Sequence, residues 1–518
     1  MTRDEGQTWQ ALSGDLTRHD PSTMGPSGGP ITGDMNGPEV YGTIFSVAPG
    51  RRDARTIWTG SDDGLVHVTR NGGGTWQNVT PAGMPAFGRV SQIDASPFDG
   101  GSAYMSVRRP LLNDMAPYIF RTADYGRSWT RIVRGIRGDA YVHAVRADPA
   151  RRGLLYAATN HGVYLSYDDG ASWSSLALNM PDLPVVDLVV EGNELVIATH
   201  GRGFWVLDDI AALRQATPAT TASAVQLFAP PSATRSGPGV VISWWLAQAP
   251  TALRLEVLDS AGAVLRTFEP DTTKPDSTGR ATSRRNRDIF LPTTAGLNRI
   301  VWDLRTQGIT RFPGMILWGA GTNGPVLPPS RYSLRLTADG RTASAPLMVQ
   351  RNPHLTATDA DLRAQYAFGR RVRDRASEAN RSVIAIRNVK AQLDDRLAAS
   401  KDSALIARAA TLRTRASAIE ERIYQVRNQS GQDPLNFPIR VNNRLATLLS
   451  MAEQGDGRPV SNMPEIFDIL SRELAVYEGQ LGEVWKTDLS ATNAELARLG
   501  LAPLDPRCAV PKGCAGLR

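Results

Sequence analysis

The sequence predicts a mainly β protein of several domains. An incomplete β-propeller occupies 1–210, a linker 211–238, an Ig-like β-sandwich 239–352, an α-helical hairpin or bundle 353–505, and a tail 506–518. Three observations carry this reading. A motif of pattern S/T-x-D/N-x-G-x-S/T-W occurs four times in the first third of the chain. Apolar residues then alternate with polar ones through the middle, and after that they recur every seven residues. A length of 518 residues leaves room for about three domains at roughly 150 residues each.

The four copies are Thr2-Arg-Asp4-Glu-Gly6-Gln-Thr8-Trp9, Thr69-Arg-Asn71-Gly-Gly73-Gly-Thr75-Trp76, Thr122-Ala-Asp124-Tyr-Gly126-Arg-Ser128-Trp129 and Ser166-Tyr-Asp168-Asp-Gly170-Ala-Ser172-Trp173. From Asp4 to Asn71 is 67 positions, then 53 to Asp124 and 44 to Asp168. The interval shrinks toward the roughly 40–45 residues of a four-stranded propeller blade. The residue types predict a structural turn. The Asp or Asn accepts main-chain N–H bonds, the Gly takes a positive φ, the hydroxyl joins the same network, and the Trp packs between neighbouring blades.

Strands fall around these turns. The first blade reads Tyr41–Val47, Thr56–Gly60, Leu65–Thr69 and Thr75–Val79. The second reads Arg89–Ala95, Ser102–Val107, Tyr118–Arg121 and Trp129–Val133, the third Tyr141–Ala147, Leu154–Ala158, Val163–Ser166 and Ser172–Ala177. Val185–Val190, Glu194–Thr199 and Phe204–Leu207 then give three strands without a fourth. The outer strand at 8–12 would complete that sheet and close a four-bladed ring. Because Met1 falls at the edge of a repeat, the stronger expectation is the C-terminal part of a longer propeller protein, its raw blade edges open to self-association.

Beyond the linker, Leu253-x-Leu255-x-Val257, Ile300-x-Trp302-x-Leu304 and Tyr332-x-Leu334-x-Leu336 alternate as half-buried strands. The polar stretch Pro270–Arg287 reads as a loop. Leu405, Leu412, Ile419 and Val426 then recur every seven residues, with Ala409, Ala416 and Ile423 on the adjacent seam. Ile386 and Leu393 fit a partner helix, so a hairpin turns around Asp394–Ser403, with shorter helices near Pro434–Gln454 and Pro464–Gly479. Core packing explains the stripe most simply; a partner-binding coiled coil is the sharper alternative.

Composition narrows the function classes. The net charge of +7 is carried by Arg interspersed among 51 acidic residues, with no basic block to mark a nucleic-acid groove. No run approaches the roughly 18 apolar residues of a membrane-spanning helix. Six His and two Cys leave little for a metal site, so neither metal nor cofactor is expected. Cys508 and Cys514 read equally as tail thiols or as a small disulfide that an exported protein permits. The polar start Met1-Thr-Arg-Asp-Glu-Gly shows no signal peptide. Gly319-Ala-Gly321-Thr-Asn-Gly324 matches a dinucleotide fingerprint, but Pro325 follows where a helix should start, so it reads as a loop. Arg137-Gly-Asp139 reads as a turn between blades.

The repeated turn resembles the Asp-box, or BNR repeat, of sialidases and sortilin-type propellers. Gly37-Pro-Glu-Val-Tyr41-Gly-Thr-Ile, Gly60-Ser-Asp-Asp-Gly-Leu-Val-His-Val and Ala198-Thr-His-Gly-Arg-Gly-Phe-Trp-Val-Leu-Asp-Asp209 add to the likeness. Together they resemble bacterial proteins with a sortilin-like (VPS10-like) propeller, often labelled glycosyl hydrolase. The resemblance implies an exported protein, secreted or periplasmic, with an Ig-like module and a helical tail. The Arg-containing first-blade motif of sialidases is not found here.

Strand order predicts where a ligand would sit. The repeat turns join third to fourth strands, so the turns between second and third strands gather on the opposite face. That face collects Asp62, Asp63, Arg108, Arg109, Asp114, His161, His200 and Arg202, with Glu39 and Tyr41 from the loop entering a first strand. These would hold a peptide or glycan; a carboxylate pair such as Glu39 and Asp62 would alternatively serve glycoside hydrolysis. Turn chemistry alone also explains Asp-Asp-Gly and His-Gly-Arg-Gly. No spacing fixes two carboxylates across a bond, so no catalytic residue is assigned.

Overall fold

The computed structural model describes residues 1–25, 27–29, 33–34, 41–271, 289–460 and 462–508. The chain is multi-sheet β with a C-terminal helical region, and it divides into two compact units, Met1–Thr220 and Thr221–Arg518. Glu39, most of Pro270–Arg287 and Cys514 lie outside the described residues.

Besides a two-stranded pair, Ser27–Gly28 with Gly33–Asp34, the described residues of the first unit form a series of four antiparallel sheets, each paired in simple up-and-down order. Sheet one holds β1 (Ile44–Pro49), β2 (Ile57–Ser61), β3 (Val66–Thr69) and β4 (Gln77–Asn78). Sheet two holds β5 (Arg89–Ala95), β6 (Ala103–Arg109), β7 (Asp114–Thr122) and β8 (Thr130–Arg131). Sheet three holds β9 (Val142–Ala147), β10 (Leu155–Thr159), β11 (Gly162–Ser166) and β12 (Ser174–Ser175). Sheet four has three strands, β13 (Val185–Glu191), β14 (Glu194–Thr199) and β15 (Phe204–Leu207). The first strands pack on one another in chain order, β1 on β5, β5 on β9 and β9 on β13. Trp58, Val68, Val90, Ile93 and Met105 fill the gap between sheets one and two; Leu154, Tyr156, Val185 and Leu188 fill that between three and four. Both faces of the middle sheets are therefore apolar.

The segment 211–238, expected as a linker, is folded. It forms short helices α1 (Ala211–Gln215) and α2 (Pro218–Ala222) and two short strands, β16 (Val225–Leu227) and β17 (Ala233–Thr234). Its apolar residues are spaced to pair: Val225 and Leu227 face Leu246 and Trp244, and Ala233 faces Val349. In the second unit β16 joins β18 (Val240–Leu246) and β21 (Gly296–Trp302). The strand β17 edges a five-stranded sheet with β23 (Arg341–Gln350), β22 (Ser330–Ala338), β19 (Leu253–Leu258) and β20 (Val264–Phe268). The two sheets enclose one core around Trp244, Trp302, Phe268 and Leu334.

The helices of the same unit are α3 (Asp359–Ala399), α4 (Ser403–Ile423), α5 (Val441–Ala452), α6 (Met463–Val484) and α7 (Ser490–Arg498). Thr358 and Asp361 form a reciprocal capping box at the start of α3. The hairpin turns at Ser400–Asp402, where Asp402 caps α4. Leu405, Ala409, Leu412, Ala416, Ile419 and Ile423 are all buried. Val426 departs from the heptad stripe and is exposed, because the helix ends at Ile423. The sandwich and the helices are joined by buried polar bonds. Arg235 donates to Gln365 Oε1 at 2.8 Å and lies 3.2 Å from Asp456. Gln365 in turn donates to the carbonyls of Ala452 and Gly455. Gly319–Gly324 lies in a loop, away from any helix start.

Candidate functional site

Up-and-down pairing gives the four sheets two chemically different ends. At one end lie the repeat turns. Asp4 Oδ1 accepts from Thr8 N–H at 2.9 Å and the Thr2 hydroxyl at 2.8 Å, while Oδ2 accepts from the Thr8 hydroxyl at 2.6 Å. Asp124 does the same with Ser128 and Thr122, and Asp168 with Ser172 and Ser166. Asn71 accepts from Thr75 N–H at 2.9 Å and from the Thr69 hydroxyl at 2.9 Å. Gly6, Gly73, Gly126 and Gly170 all have φ between 81° and 97°, which only glycine adopts without strain. The hydroxyl bonds, followed by the main-chain ones, hold Asp4 and Asp124 down at about 2. Each carboxylate is saturated by its own turn.

The indoles tie one turn to the sheet before it. Trp76 Nε1 donates to Leu12 carbonyl, Trp129 to Val79 and Trp173 to Ile132, at 2.9, 2.7 and 2.9 Å. In every case the acceptor lies three residues after the preceding repeat's Trp. Trp9 is the exception: it donates within its own turn, to Gly6 carbonyl, and is 75 % exposed.

The opposite end holds the residues singled out from strand order. Asp62 is buried, with Oδ1 accepting from Gly42 and Thr43 N–H at 3.0 and 2.8 Å and Oδ2 from the Thr43 hydroxyl at 3.2 Å. Asp63 is also buried; it accepts from Arg18 N–H at 2.7 Å and from the Ser61 hydroxyl. Tyr41 sits close enough that burial, and then the charges of Asp62 and Asp63, raise its phenol above the usual range. Asp114 accepts from Arg109 and Tyr118, both at 2.9 Å. This braces the loop after β6, whose tip carries the exposed Leu111 and Leu112. His161 Nδ1 lies 2.9 Å from Asp182 Oδ1, and Asp182 lies 3.6 Å from Arg137. Arg137 pairs with Asp139 at 2.6 Å, so the two charged members of Arg-Gly-Asp neutralise each other. His200 and Arg202 are exposed in the turn after β14.

One cluster at this end was not legible in the turns. Arg108 Nη1 lies 2.9 Å from His143 Nδ1. A guanidinium only donates, so Nδ1 is the acceptor and the imidazole proton is placed on Nε2. His143 is buried, and Tyr141 stacks against it with ring centroids 5.0 Å apart. Burial, then the charges of Arg108 and His200, push its pKa down to about 4. Burial and the charge of Arg89 lower that of Arg108. Arg89 itself lies 4.8 Å over the Phe45 ring. His143 Nε2 and Arg108 Nε are both buried, and no group among the described residues accepts from either. A buried donor without an acceptor costs about 1–3 kcal/mol. Two of them lie here beside the positive charge of Arg108 and Arg89, for which no carboxylate partner is found among the described residues.

The signal that reveals these residues lies in the first strands. All four carry a register shift near their start, at Ile44/Ser46, Val90/Gln92, Val142/Ala144 and Val185/Asp187. The bulge residues are Phe45, Ser91, His143 and Val186, and a bulge re-aims its side chain. Aligning first strands, rather than turns alone, brings His143 and its neighbours out. Among the described residues no group of three or more His, Cys, Asp or Glu could hold a metal ion, and no helix is long and apolar enough to cross a membrane.

No family model and no curated protein matches the chain. Solved structures that it is similar to are β-propeller-like. YCF48 from Cyanidioschyzon merolae is 20 % identical over 32 % of this chain and 53 % of its own, with a TM-score of 0.25. The chain thus spans about half of that protein's length. A GH74 enzyme of Niastella koreensis is 14 % identical over 52 % of this chain and 39 % of its own, with a TM-score of 0.26. PorZ, a surface component of the type-IX secretion system of Porphyromonas gingivalis, is 14 % identical over 57 % and 37 %, also at 0.26. At TM-scores this low the likenesses leave function to the chain's own residues.

Proposed function

We propose that this chain is an exported, sortilin-like propeller protein with Asp-box turns that binds a peptide or glycan through an acidic group, at the sheet ends opposite those turns. The observation that supports it is the pair of buried, unaccepted donors, His143 Nε2 and Arg108 Nε. Arg89 adds positive charge beside them, and Arg202 stands exposed in a turn at the same sheet ends. Leu111 and Leu112 stand exposed on a braced loop of the same end. Tyr41 and His161 form the rim, and Asp62 and Asp63 hold the turn that carries them at the same end. The sandwich, read as an Ig-like module, and the helices serve as further modules of the same chain. The disulfide-bonded Cys508 is consistent with an oxidising compartment.

Binding is favoured over hydrolysis because Asp62 and Asp63 are already engaged by the main-chain donors of Gly42, Thr43 and Arg18, whereas a general acid must be free to donate to its substrate. The test is calorimetric titration with a short Glu-rich peptide and its Gln counterpart. The acidic peptide is expected to bind at least about tenfold tighter, with that margin lost in Arg108→Met. Equal binding of the two peptides, or an unaltered margin in Arg108→Met, would overturn the reading.

A further inference from the structure

The sheet ends opposite the repeat turns carry an apolar collar as well as a basic centre. Leu111, Leu178 and Phe87 are 84, 62 and 52 % exposed, and Leu112 is exposed beside Leu111. All four stand at that end: Phe87 between β4 and β5, Leu111 and Leu112 between β6 and β7, and Leu178 between β12 and β13. These connections border sheets two and three, each of which has a packed neighbour on both sides.

Two of the four occupy positions whose backbone suits a residue without a Cβ. Phe87 is the third residue of the turn 85–88, closed by Gly88 N–H to the Pro85 carbonyl at 3.0 Å, and its φ is 55°. Leu178 is the second residue of the turn 177–180, closed by Met180 N–H to the Ala177 carbonyl at 2.8 Å, and its φ is 47°. Glycine or asparagine takes such positions readily, whereas a bulky side chain there is strained. Both side chains face water, so burial does not offset the strain. Strain of this kind concentrates where a ligand is clamped. Leu111 and Leu112 are held out by other means. Arg109 and Tyr118 both donate to Asp114 at 2.9 Å at the base of their turn, and Asn113 ends it in the left-handed conformation.

The collar is continuous with the basic centre. Arg89 and Arg108 stand opposite each other in the β5–β6 register, and like charges so placed repel. Phe87 comes just before Arg89, and Leu111 just after Arg108 and Arg109. The described carboxylates of this end are already taken: Asp62 and Asp63 by main-chain N–H groups, Asp114 by Arg109, and Asp139 and Asp182 by Arg137. The centre is therefore complementary to an anion, and its surround to apolar groups.

We infer that the ligand is a peptide segment with an internal acidic side chain flanked by large aliphatic or aromatic ones. The acid is held at Arg89 and Arg108, and the flanking side chains rest on Phe87, Leu111 and Leu112, with Leu178 extending the apolar surface on the side of sheet four. A glycan fits less well, because sugar hydroxyls laid on leucine lose water without gaining a hydrogen bond. A flat lipid surface would meet the leucines but not the buried Arg108 Nε and His143 Nε2, which a single side chain can reach. The inference rests on the acidic-ligand reading above and adds to it the peptide class and the apolar half of the contact.

Calorimetric titration of the full chain with three end-blocked peptides tests it. Their cores are Leu-Glu-Leu, Ala-Glu-Ala and Leu-Gln-Leu, and an oligogalacturonate serves as the acidic glycan. Leu-Glu-Leu is expected to bind at least about tenfold tighter than Ala-Glu-Ala and than the oligogalacturonate. The double substitution Leu111→Ser with Leu112→Ser is expected to erase the margin over Ala-Glu-Ala and to keep that over Leu-Gln-Leu. Phe87→Gly relieves the strained turn, so its melting temperature should hold or rise while the apolar margin falls at least about threefold. A Phe87 that served only the fold would give the reverse. Equal binding of Leu-Glu-Leu and Ala-Glu-Ala, tighter binding of the oligogalacturonate, or a margin untouched by the double substitution would overturn the inference. The acidic reading would stand as long as Leu-Glu-Leu still outbinds Leu-Gln-Leu. Equal binding of those two would instead remove the acidic reading, and the inference with it.

Discussion

The two ends of the sheets in the first unit use similar residue types to opposite effect. At the repeat turns, Asp4, Asp124 and Asp168 accept from hydroxyl and main-chain donors of their own turn, and nothing is left over. At the other end, Arg108 Nε and His143 Nε2 are buried donors for which no acceptor is found among the described residues. Saturation marks a part that holds the fold; the shortfall at Arg108 and His143, set beside the charge of Arg89, is what the proposed ligand reading rests on. Asp62 and Asp63 belong with the first kind although they sit at the second end, so position alone does not decide a residue's role.

That contrast breaks most visibly in the tryptophans. Trp173 is buried between sheets and Trp9 is exposed. Trp173→Ala is expected to cost about 3–5 kcal/mol, measured by denaturant unfolding. Trp9→Ala should stay within about 0.5 kcal/mol in the single chain. An equal loss in both would mean that the fourfold repeat does not reflect a common packing role.

Acidification sharpens the contrast next. His143 has a folded pKa of about 4, below the ordinary histidine value, so the folded state binds fewer protons than the unfolded one between roughly 6.5 and 4. Stability contributed by the neutral ring is present above about 6.5 and is lost as pH falls toward 4. The loss is at most about 1.4 kcal/mol per pH unit. His143→Gln should flatten that part of the stability profile.

Asp168→Ala, which removes one saturated carboxylate, should cost about 1–2 kcal/mol and leave peptide binding unchanged. Arg108→Met should do the reverse. It removes a half-buried cation and its unpaired Nε donor, so the melting temperature is expected to hold or rise while acidic-peptide binding is lost. A large destabilisation by Arg108→Met would assign that arginine to the fold. A small effect is also expected of His161→Ala, whose hydrogen bond to the exposed Asp182 contributes under about 1 kcal/mol.

Much of the fold was legible because its signals are local. The Asp-x-Gly turns, the alternating Leu253–Val257 and the heptad from Leu405 are each fixed by short-range geometry, and the strands and helices lie where those patterns place them. The strands of 211–238 were obscured because Val225–Leu227 and Ala233–Thr234 are too short to show a period and gain their structure from distant partners. The cluster of Arg89, Arg108 and His143 was hidden for a similar reason. Arg89, Arg108 and His143 are far apart in sequence, and a bulge rather than a motif brings His143 to Arg108.

The central claim is that His143 Nε2 and Arg108 Nε await an anionic group. The most direct measurement is the pKa of His143, followed by NMR of histidine-labelled protein with and without a saturating Glu-rich peptide. The free protein should titrate near 4, and the bound anion should raise that value by at least about one unit, since a negative charge beside the ring favours its protonated form. A His143 pKa that stays the same with the peptide saturated would contradict the account.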